Sequence, residues 1–215
     1  MEFNGCMLPD DLCYDEDMLV WMKFEGTEIR IGLTSIAAWL AGPDLSIKTK
    51  EKGSVIEPGK NLLLIDGRGY FGAVRLPFGV RVIDNNFIPP GAFRNSLSVY
   101  STWITLVEPQ EPGSVRCLSG NEAASRGEAL VKQYGLHCFS IMPDTRMVEI
   151  GTECSVVTAR LRETFGKSPS GFVIHLVSDD PTAPVEIFRI SEELHLNIVE
   201  QRKEGDIFHF LLQKQ

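Results

Sequence analysis

The chain has 215 residues, a formal net charge of −8 and a pI near 5.1, with 43% hydrophobic and 23% charged residues. This length allows one large domain or two small ones, and the composition is typical of a soluble globular protein. The acidic balance argues against a nucleic-acid-binding surface, which would show a basic stripe. No apolar run is long enough to span a bilayer. From the charge and the apolar runs together, we expect neither a nucleic acid nor a membrane as partner.

Five cysteines at irregular spacing indicate a reducing environment without a disulfide framework. We interpret Cys6 and Cys13 as incidental thiols. Cys117 and Cys138 flank a predicted helix, and either is a candidate resolving partner for Cys154. The N-terminus carries acidic residues and no apolar core, unlike a signal peptide. Together these features predict a cytoplasmic protein.

The first half of the chain predicts a β-rich domain. Short apolar or alternating runs are separated by Gly, Pro, Asp and Asn, as is typical of short strands. These runs are LVWMKFEG, TEIRIGLT, NLLLIDG, YFGAVRL, FGVRVIDN and WITLVEP. One helix is predicted at SIAAWLAG, with Ser35 as its N-cap and Gly42 as its stop. The two prolines of IPPGAF predict a loop at residues 88–93.

The stretch GRGYFGA, residues 67–73, follows an apolar strand and matches the glycine pattern of a dinucleotide-binding turn. That pattern requires a helix after its last glycine. Pro77 and the alternating FGVRVID behind it predict a strand instead. We therefore interpret the stretch as a β-hairpin with a tight turn at residues 66–69, whose glycines are expected to supply positive φ.

In the second half the pattern changes after VEPQEPGS, a proline-rich turn. GNEAASRGEALVKQYG predicts a helix that ends at Gly135. The remaining segments alternate in type and are RMVEI, SVVTARLRETF, GFVIHLVS, APVEIFRISEEL, LNIVEQR and DIFHFLLQ. Their β-α-β-α-β-β order predicts helices on one face of a small sheet. We expect an α+β chain of two domains, residues 1–135 and 146–215, joined by a linker at 136–145.

Over roughly residues 8–135 the chain resembles the H protein of the glycine cleavage system, a lipoyl carrier with a barrel-sandwich hybrid fold. The segments that carry this resemblance are LPDDLCYDEDMLVW, RIGLTSIAAWLAG, VIEPGKNLLLIDG, RLPFGVRVIDNN and SVYSTWITLVEP. In that family the hairpin tip reads Glu-Ser-x-Lys, and the lysine carries lipoate. Aligned without a gap, Asp66 keeps the acid and Gly69 takes the place of the lysine.

The departure at Gly69 implies a domain that carries no lipoate and no other cofactor. Arg68 is the nearest base, but a guanidinium stays protonated and cannot be acylated like an amine. Lys60 lies before the strand, away from the tip. Two interpretations of the tip stay open: a simple tight turn, or a docking finger with Arg68 as its charged contact.

Residues 146–215 resemble the TusA/SirA-like family of sulfur-relay proteins, which are two-layer α/β sandwiches. MVEIGTECSVVTARLRETF places Cys154 where the cysteine of that family opens the first helix, and GFVIHLVSDDP matches the strand and Asp-Asp-Pro turn that follow. The Cys-Pro-x-Pro of the family is here Cys-Ser-Val-Val. A helix N-terminus lowers the pKa of a thiol, whereas Glu153 beside it acts in the opposite direction. An inert structural cysteine is the other interpretation.

The four histidines show no ligand spacing with each other or with cysteine, so no metal site is predicted. His175 and His209 fall within strand patterns and are expected to be half-buried packing residues. Asp179 and Asp180, before Pro181, are interpreted as turn and capping residues.

Two functions remain open from the sequence. In the first, Cys154 carries sulfane sulfur as a persulfide, and the H-protein-like domain docks a sulfur donor or acceptor protein or a lipoylated carrier protein. In the second, both carrier positions have lost their function and the chain is a non-catalytic adaptor. Whether the chain is an enzyme is left open.

Overall fold

The computed structural model describes residues 1–89 and 91–215, so Pro90 of the predicted loop IPPGAF lies outside the described residues. The chain divides into two compact units, Met1–Met142 and Pro143–Gln215, and each is described by itself. Along the part of the chain that the structure describes, we find no helix of sufficient length and hydrophobicity to cross a membrane.

The first unit is rich in short strands, as the sequence predicts. Its strands are β1 (Glu2–Phe3), β2 (Cys6–Met7), β3 (Cys13–Tyr14), β4 (Val20–Glu25), β5 (Glu28–Leu33), β6 (Ser46–Thr49), β7 (Val55–Ile56), β8 (Asn61–Asp66), β9 (Phe71–Arg75), β10 (Val80–Asn85) and β11 (Thr105–Pro109). Its helices are α1 (Ser35–Ala41), α2 (Ser96–Val99) and α3 (Gly120–Tyr134).

The strands of this unit form antiparallel sheets around a shared apolar core. One sheet has the order β3-β4-β5-β11-β10-β7, a second has the order β6-β8-β9, and β1 pairs with β2. Ile29, Ile31 and Leu33 alternate along β5 and are fully buried, because alternate side chains of a strand point to the same face. They belong to one core cluster with Leu63 and Ile65 of β8, so the two larger sheets share a core.

Helix α1 starts from a cap that differs from the predicted one by one residue. Thr34, not Ser35, is the N-cap, and its hydroxyl accepts a hydrogen bond from the Ala37 N–H at 3.0 Å. Ser35 instead donates its hydroxyl to the Met7 carbonyl at 2.8 Å. Gly42 ends the helix as predicted, with a φ of 94° that favours glycine.

Four of the five cysteines form two disulfide bonds in the first unit, which corrects the expectation that they are free thiols. Cys6 pairs with Cys138 and Cys13 pairs with Cys117, with Cα–Cα distances of 4.8 and 5.6 Å. Both distances are normal for disulfides. Cys117 precedes α3 and Cys138 follows it, so the two bonds fasten both ends of this helical segment to the N-terminal strands. Neither residue is left as a resolving thiol for Cys154.

The segment that follows α3 packs into the first unit, although the sequence assigns it to a linker. Cys138, Phe139 and Met142 are all buried. The Cys138 N–H donates to the Asn4 carbonyl at 2.9 Å, and the Met142 N–H donates to the Arg94 carbonyl at 2.7 Å. This segment has no strand or helix pattern, which suggested a linker without fixed contacts. Apolar side chains and long-range backbone hydrogen bonds nevertheless hold it in the first unit.

The second unit has the predicted order of elements. These are β12 (Thr145–Glu149), α4 (Cys154–Lys167), β13 (Val173–Ser178), α5 (Ala183–Leu194), β14 (Leu196–Glu204) and β15 (Ile207–Lys214). The sheet order is β12-β13-β15-β14, with β12 and β13 parallel and the other pairs antiparallel. Leu161 of α4 and Ile187 of α5 share a core with alternate residues of β15, Phe208, Phe210 and Leu212. Both helices therefore lie on one face of the sheet.

His175 and His209 are neighbours on β13 and β15, and they are more deeply buried than predicted. Each of the two residues exposes only 3% of its surface. The Nε2 atom of His175 lies 3.0 Å from Nδ1 of His209, so one ring donates a hydrogen bond to the other. This pairing satisfies one polar nitrogen of each ring, as burial requires.

Candidate functional sites at the hairpin tip and Cys154

The β8–β9 hairpin holds the position that the resemblance aligns with a lipoyl lysine. Asp66 and Phe71 are the last paired residues of its two strands. Between them the loop consists of residues 67–70, and the Gly67 N–H closes it by donating to the Tyr70 carbonyl at 3.0 Å. The hairpin predicted from the glycine-rich stretch is therefore present, with Gly69 inside the loop.

The loop lies directly against the C-terminal end of α1. The Gly69 N–H donates a hydrogen bond to the Ala41 carbonyl at 3.2 Å. A β-carbon on Gly69 would clash with the Leu40 carbonyl oxygen, and one on Gly67 would lie 2.8 Å from the Ala41 carbonyl carbon. A side chain at either position therefore requires the backbone to move.

This contact gives the tip glycines a different role from the predicted one. Neither Gly67 nor Gly69 has a positive φ, and the same holds for Gly72. Glycine is also suited to places where two backbones approach closely, and that is the reason for glycine at the first two positions. The prediction of positive φ at the tip was wrong because sequence alone did not place α1 beneath the loop.

Arg68 is the exposed charged residue of the tip, and it forms an ion pair with Asp44 in the connection between α1 and β6. Both side chains are more than half exposed, 72% and 60% respectively. An exposed pair of this kind contributes little to stability. The guanidinium thus stays accessible at the surface while the loop beneath it is held to the end of α1.

Cys154 is the first residue of α4, at the position that the sequence predicts. All five cysteines are among the described residues, and Cys154 is the one outside a disulfide, with a partly exposed side chain. Thr158, one turn later, donates its hydroxyl to the Cys154 carbonyl at 2.8 Å. Glu153 is the N-cap residue but its side chain makes no capping hydrogen bond.

Burial raises the pKa of the Cys154 thiol above its ordinary value, and the carboxylates of Asp180 and Glu186 act in the same direction. A hydrogen bond with Thr158 and the charge of Arg189 act in the opposite direction but are outweighed. The direction of this pKa shift is opposite to the one that a helix N-terminus alone would give. The sequence could not reveal this shift, because both the burial of Cys154 and its closeness to Asp180 and to α5 arise only in the fold.

Helices α4 and α5 begin at the same edge of the sheet because β12 and β13 run parallel. The Gly151 N–H before α4 donates to the Asp179 carboxylate before α5 at 2.8 Å, which ties the two connections together. Asp180 accepts bonds from the Thr182 N–H and hydroxyl at 2.8 and 2.7 Å, as predicted for a turn residue. Cys154 therefore lies at the edge of the sheet where α4, α5 and the connections that precede them meet.

A buried ion pair fixes α4 to the strand before it. Glu149 of β12 has 2% of its surface exposed, and both carboxylate oxygens accept from Arg160 Nη1 of α4, at 2.6 and 2.7 Å. The Arg160 side chain itself is 55% exposed and covers the carboxylate from the solvent side. Sequence analysis missed this pair, because Glu149 falls within a strand pattern and carries no motif.

The first unit is a small β-rich domain in which two antiparallel sheets share one apolar core and the β8–β9 hairpin packs against α1. No protein-family model matches the chain. It is 30% identical over 145 residues to glycine cleavage system H protein 5 of Aquifex aeolicus, an alignment that spans 64% of this chain and 98% of that relative. The chain therefore belongs to the glycine cleavage system H protein family.

The chain is also similar to two further proteins that are named glycine cleavage system H proteins. The chain is 28% identical over 109 residues to the probable glycine cleavage system H protein 3 of Sulfurisphaera tokodaii, which covers 50% of this chain and 80% of the relative. A crystal structure of a glycine cleavage system H protein from Mycobacterium marinum has a TM-score of 0.45 and 20% sequence identity. That comparison covers 60% of this chain and the whole of the solved one.

Proposed function

We propose that this chain is a member of the H protein family that docks a partner protein without carrying lipoate, and that it relays sulfane sulfur through Cys154. The observation that carries the relay is that Cys154 is the one cysteine outside a disulfide and begins a helix at an edge of the second unit. Its likeness in position to the cysteine of TusA/SirA-like proteins supports the same assignment.

The absence of lipoate is proposed from two properties of Gly69. Glycine offers no amine for acylation, and the carbonyl of Leu40 occupies the space that a side chain would need. Arg68 beside it is exposed but stays protonated. The hairpin then acts through its surface, with the guanidinium of Arg68 as a contact for the docked protein.

In the proposed relay step, the Cys154 thiolate attacks the terminal sulfur of a persulfide on a donor protein. The donor's S–S bond breaks, its cysteine leaves as a thiolate, and a new S–S bond forms on Cys154. The proton lost by Cys154 is taken up by the departing thiolate. One sulfur atom changes carrier, so the step needs no external oxidant or reductant.

Exposed apolar side chains near this edge support docking of the donor there. Ile150 follows β12, Val156 lies in the first turn of α4, and Val185 lies in the first turn of α5. They expose 49%, 41% and 71% of their surface, respectively. Apolar groups in this number at one edge favour a protein partner over a solvated surface.

The second candidate is a non-catalytic adaptor, and the raised pKa of the Cys154 thiol favours it. A thiol that stays protonated at neutral pH is a poor nucleophile, so an inert cysteine would have this property. The two candidates differ in whether Cys154 accepts sulfur.

Intact-protein mass spectrometry separates the two candidates. The protein is incubated with a cysteine desulfurase and cysteine, and its mass is measured without reductant and after dithiothreitol. The relay predicts a gain of about 32 Da, one sulfur atom, that dithiothreitol removes and that Cys154→Ser abolishes. No gain, under conditions that load a sulfur-relay protein in parallel, would exclude the relay and favour the adaptor.

A further inference from the structure

A groove of about 790 Å³ in the first unit concentrates positive charge on an acidic protein. Lys50, Lys60 and Arg75 line it, with Glu57 as its acidic residue and Val55 as an apolar one. The whole chain has 21 basic and 29 acidic residues. The groove, with three basic residues and one acidic residue, therefore has the opposite sign of charge from the chain as a whole. A smaller groove of about 110 Å³ shares Lys50 and adds Lys48.

The backbone beneath these cations is fixed. The Lys50 N–H donates to the Leu62 carbonyl at 3.3 Å and the Lys60 N–H donates to the Glu57 carbonyl at 3.1 Å. The Lys50 carbonyl in turn accepts from Nδ2 of Asn85 at 2.8 Å. The stems of both lysines therefore start from defined positions, and few backbone degrees of freedom would be lost when a ligand binds.

The charged ends of the lining residues stay available. Lys50, Lys60 and Arg75 are all exposed. Within the described residues none of the three forms an ion pair, whereas the nearby Lys52 pairs with Asp84. Nε of Arg75 donates to Oδ1 of Asn61 at 2.8 Å, which orients the guanidinium and leaves its terminal nitrogens free for an anion. Electrostatic complementarity thus points to a negatively charged occupant.

The shape of the groove distinguishes among anionic occupants. A site for a small ligand buries most of the ligand surface, whereas the cations here are exposed to solvent. A long nucleic acid would meet the net charge of −8 on the rest of the chain. The groove borders β7, the outermost strand of the six-stranded sheet, whose Val55 is 50% exposed. An extended peptide suits such an edge, since its side chains can reach charged and apolar contacts in turn.

We propose that this groove binds an extended, acidic segment of a partner protein, with carboxylates of the segment against Lys50, Lys60 and Arg75. This binding is independent of sulfur transfer at Cys154, which lies in the other unit. It gives the first unit a docking site that is separate from the hairpin tip.

Fluorescence anisotropy with a labelled peptide of alternating glutamate and serine tests the proposal. We expect saturable binding at low ionic strength that weakens as salt is added. Lys50→Glu/Lys60→Glu is expected to lower the affinity by at least about tenfold, because two attractions become repulsions. The control Lys23→Glu/Arg116→Glu changes two exposed residues outside the groove by the same net charge, and is expected to keep most of the affinity.

Three results would overturn the proposal: no saturable binding of the acidic peptide, an equal loss in the control variant, or tighter binding of inorganic phosphate, citrate or duplex DNA than of the peptide. Circular dichroism and thermal unfolding of both variants show whether the fold is kept. If the charge-reversed variant does not fold, Lys50→Gln/Lys60→Gln replaces it, with Lys23→Gln/Arg116→Gln as control, and the same outcomes decide.

Discussion

At the scale of single residues, the hairpin tip depends on how closely its backbone approaches α1. The loop glycines Gly67 and Gly69 have ordinary φ values but face the carbonyl groups of Leu40 and Ala41. A lysine placed at position 69 would therefore have to displace backbone before it reached solvent. The loop therefore has no space for a side chain at position 69 in its present conformation.

We expect Gly69→Lys not to be lipoylated by a lipoate–protein ligase. The clash with Leu40 should lower the free energy of unfolding by about 1–3 kcal/mol, as overpacking does. Intact mass after incubation with ligase and lipoate measures the first effect, and urea unfolding the second. Arg68→Lys is the matched control, since it places an amine on the exposed neighbouring residue without a clash. Complete lipoylation of Gly69→Lys with unchanged stability would contradict the closed tip.

Asp15 is a buried carboxyl that should make stability depend on pH. It is 4% exposed, and Oδ1 accepts a bond from the Val20 N–H at 2.7 Å. Burial raises its pKa to about 7, so the folded state holds a proton that the unfolded chain releases near pH 4. Its stabilising contribution is therefore complete below about pH 4 and is lost as pH rises through about 7.

Urea unfolding at a series of pH values is expected to show this loss, of roughly 2–4 kcal/mol between about pH 4 and pH 8. Asp15→Asn keeps an oxygen for the Val20 N–H and removes the ionisation. The variant should therefore be more stable than the parent at about pH 8, with a flatter pH dependence. A parent protein that gains stability across this interval, or a variant with the same slope, would disprove the assignment.

At the scale of elements, the pair between Glu149 and Arg160 sets the position of α4, and hence of Cys154. Arg160→Ala removes the charged partner of Glu149, whose side chain is only 3% exposed while the pair is intact, and loss of one partner from a largely buried pair is destabilising. Arg162→Ala removes a pair with Glu193 in which both side chains are about half exposed. Thermal unfolding should show a clearly larger loss for Arg160→Ala, and equal losses would contradict the role of the pair.

The thiol of Cys154 should react with iodoacetamide faster as pH rises, with a midpoint above that of a cysteine in an unstructured peptide, because burial raises its pKa. Glu186→Gln removes one of the carboxylates that raise the pKa and releases Arg189 from an ion pair. The variant is expected to react about two- to threefold faster at neutral pH. Glu163→Gln, on α4 and paired with Lys167, is the control. A midpoint below that of the peptide would contradict a raised pKa of the Cys154 thiol.

Local patterns in the sequence were sufficient to place several elements but not their contacts. Gly135 ends α3 in a left-handed conformation, as the sequence predicts, and α4 begins at Cys154, the predicted first residue of that helix. The N-cap of α1 differs by one residue, because Thr34 and Ser35 are both capping types and the fold gives Ser35 another partner. Capping depends on neighbours in sequence, so it is predictable to within a residue.

At the scale of the whole molecule, the disulfides join residues that are far apart along the chain. Cys6 and Cys138 are separated by 132 residues, and Cys13 and Cys117 by 104. The irregular spacing and odd number of cysteines predicted free thiols. That prediction was wrong because the fold, not the spacing in the sequence, brings cysteines this far apart together. The contact of the hairpin with α1 and the groove lined by Lys50, Lys60 and Arg75 also join residues that are distant in sequence, so the sequence alone did not predict them.

Removal of one disulfide by Cys6→Ser/Cys138→Ser should lower the free energy of unfolding by roughly 2–5 kcal/mol, because the unfolded chain gains the freedom of a long loop. Urea unfolding monitored by tryptophan fluorescence measures the loss. Cys154→Ser removes a thiol outside any disulfide and is expected to change stability far less. Equal stabilities of the double variant and the parent would show that this bond does not hold the first unit together.

The intact mass of the protein after co-expression with a lipoate–protein ligase and a cysteine desulfurase tests both sulfur transfer at Cys154 and the proposed absence of lipoate. A lipoylated H protein and a sulfur-relay protein, treated in parallel, show that both reactions occur. We expect a reducible gain of about 32 Da that depends on Cys154, and no lipoyl adduct. A lipoyl adduct, or no sulfur on Cys154 while both control proteins are modified, would contradict it.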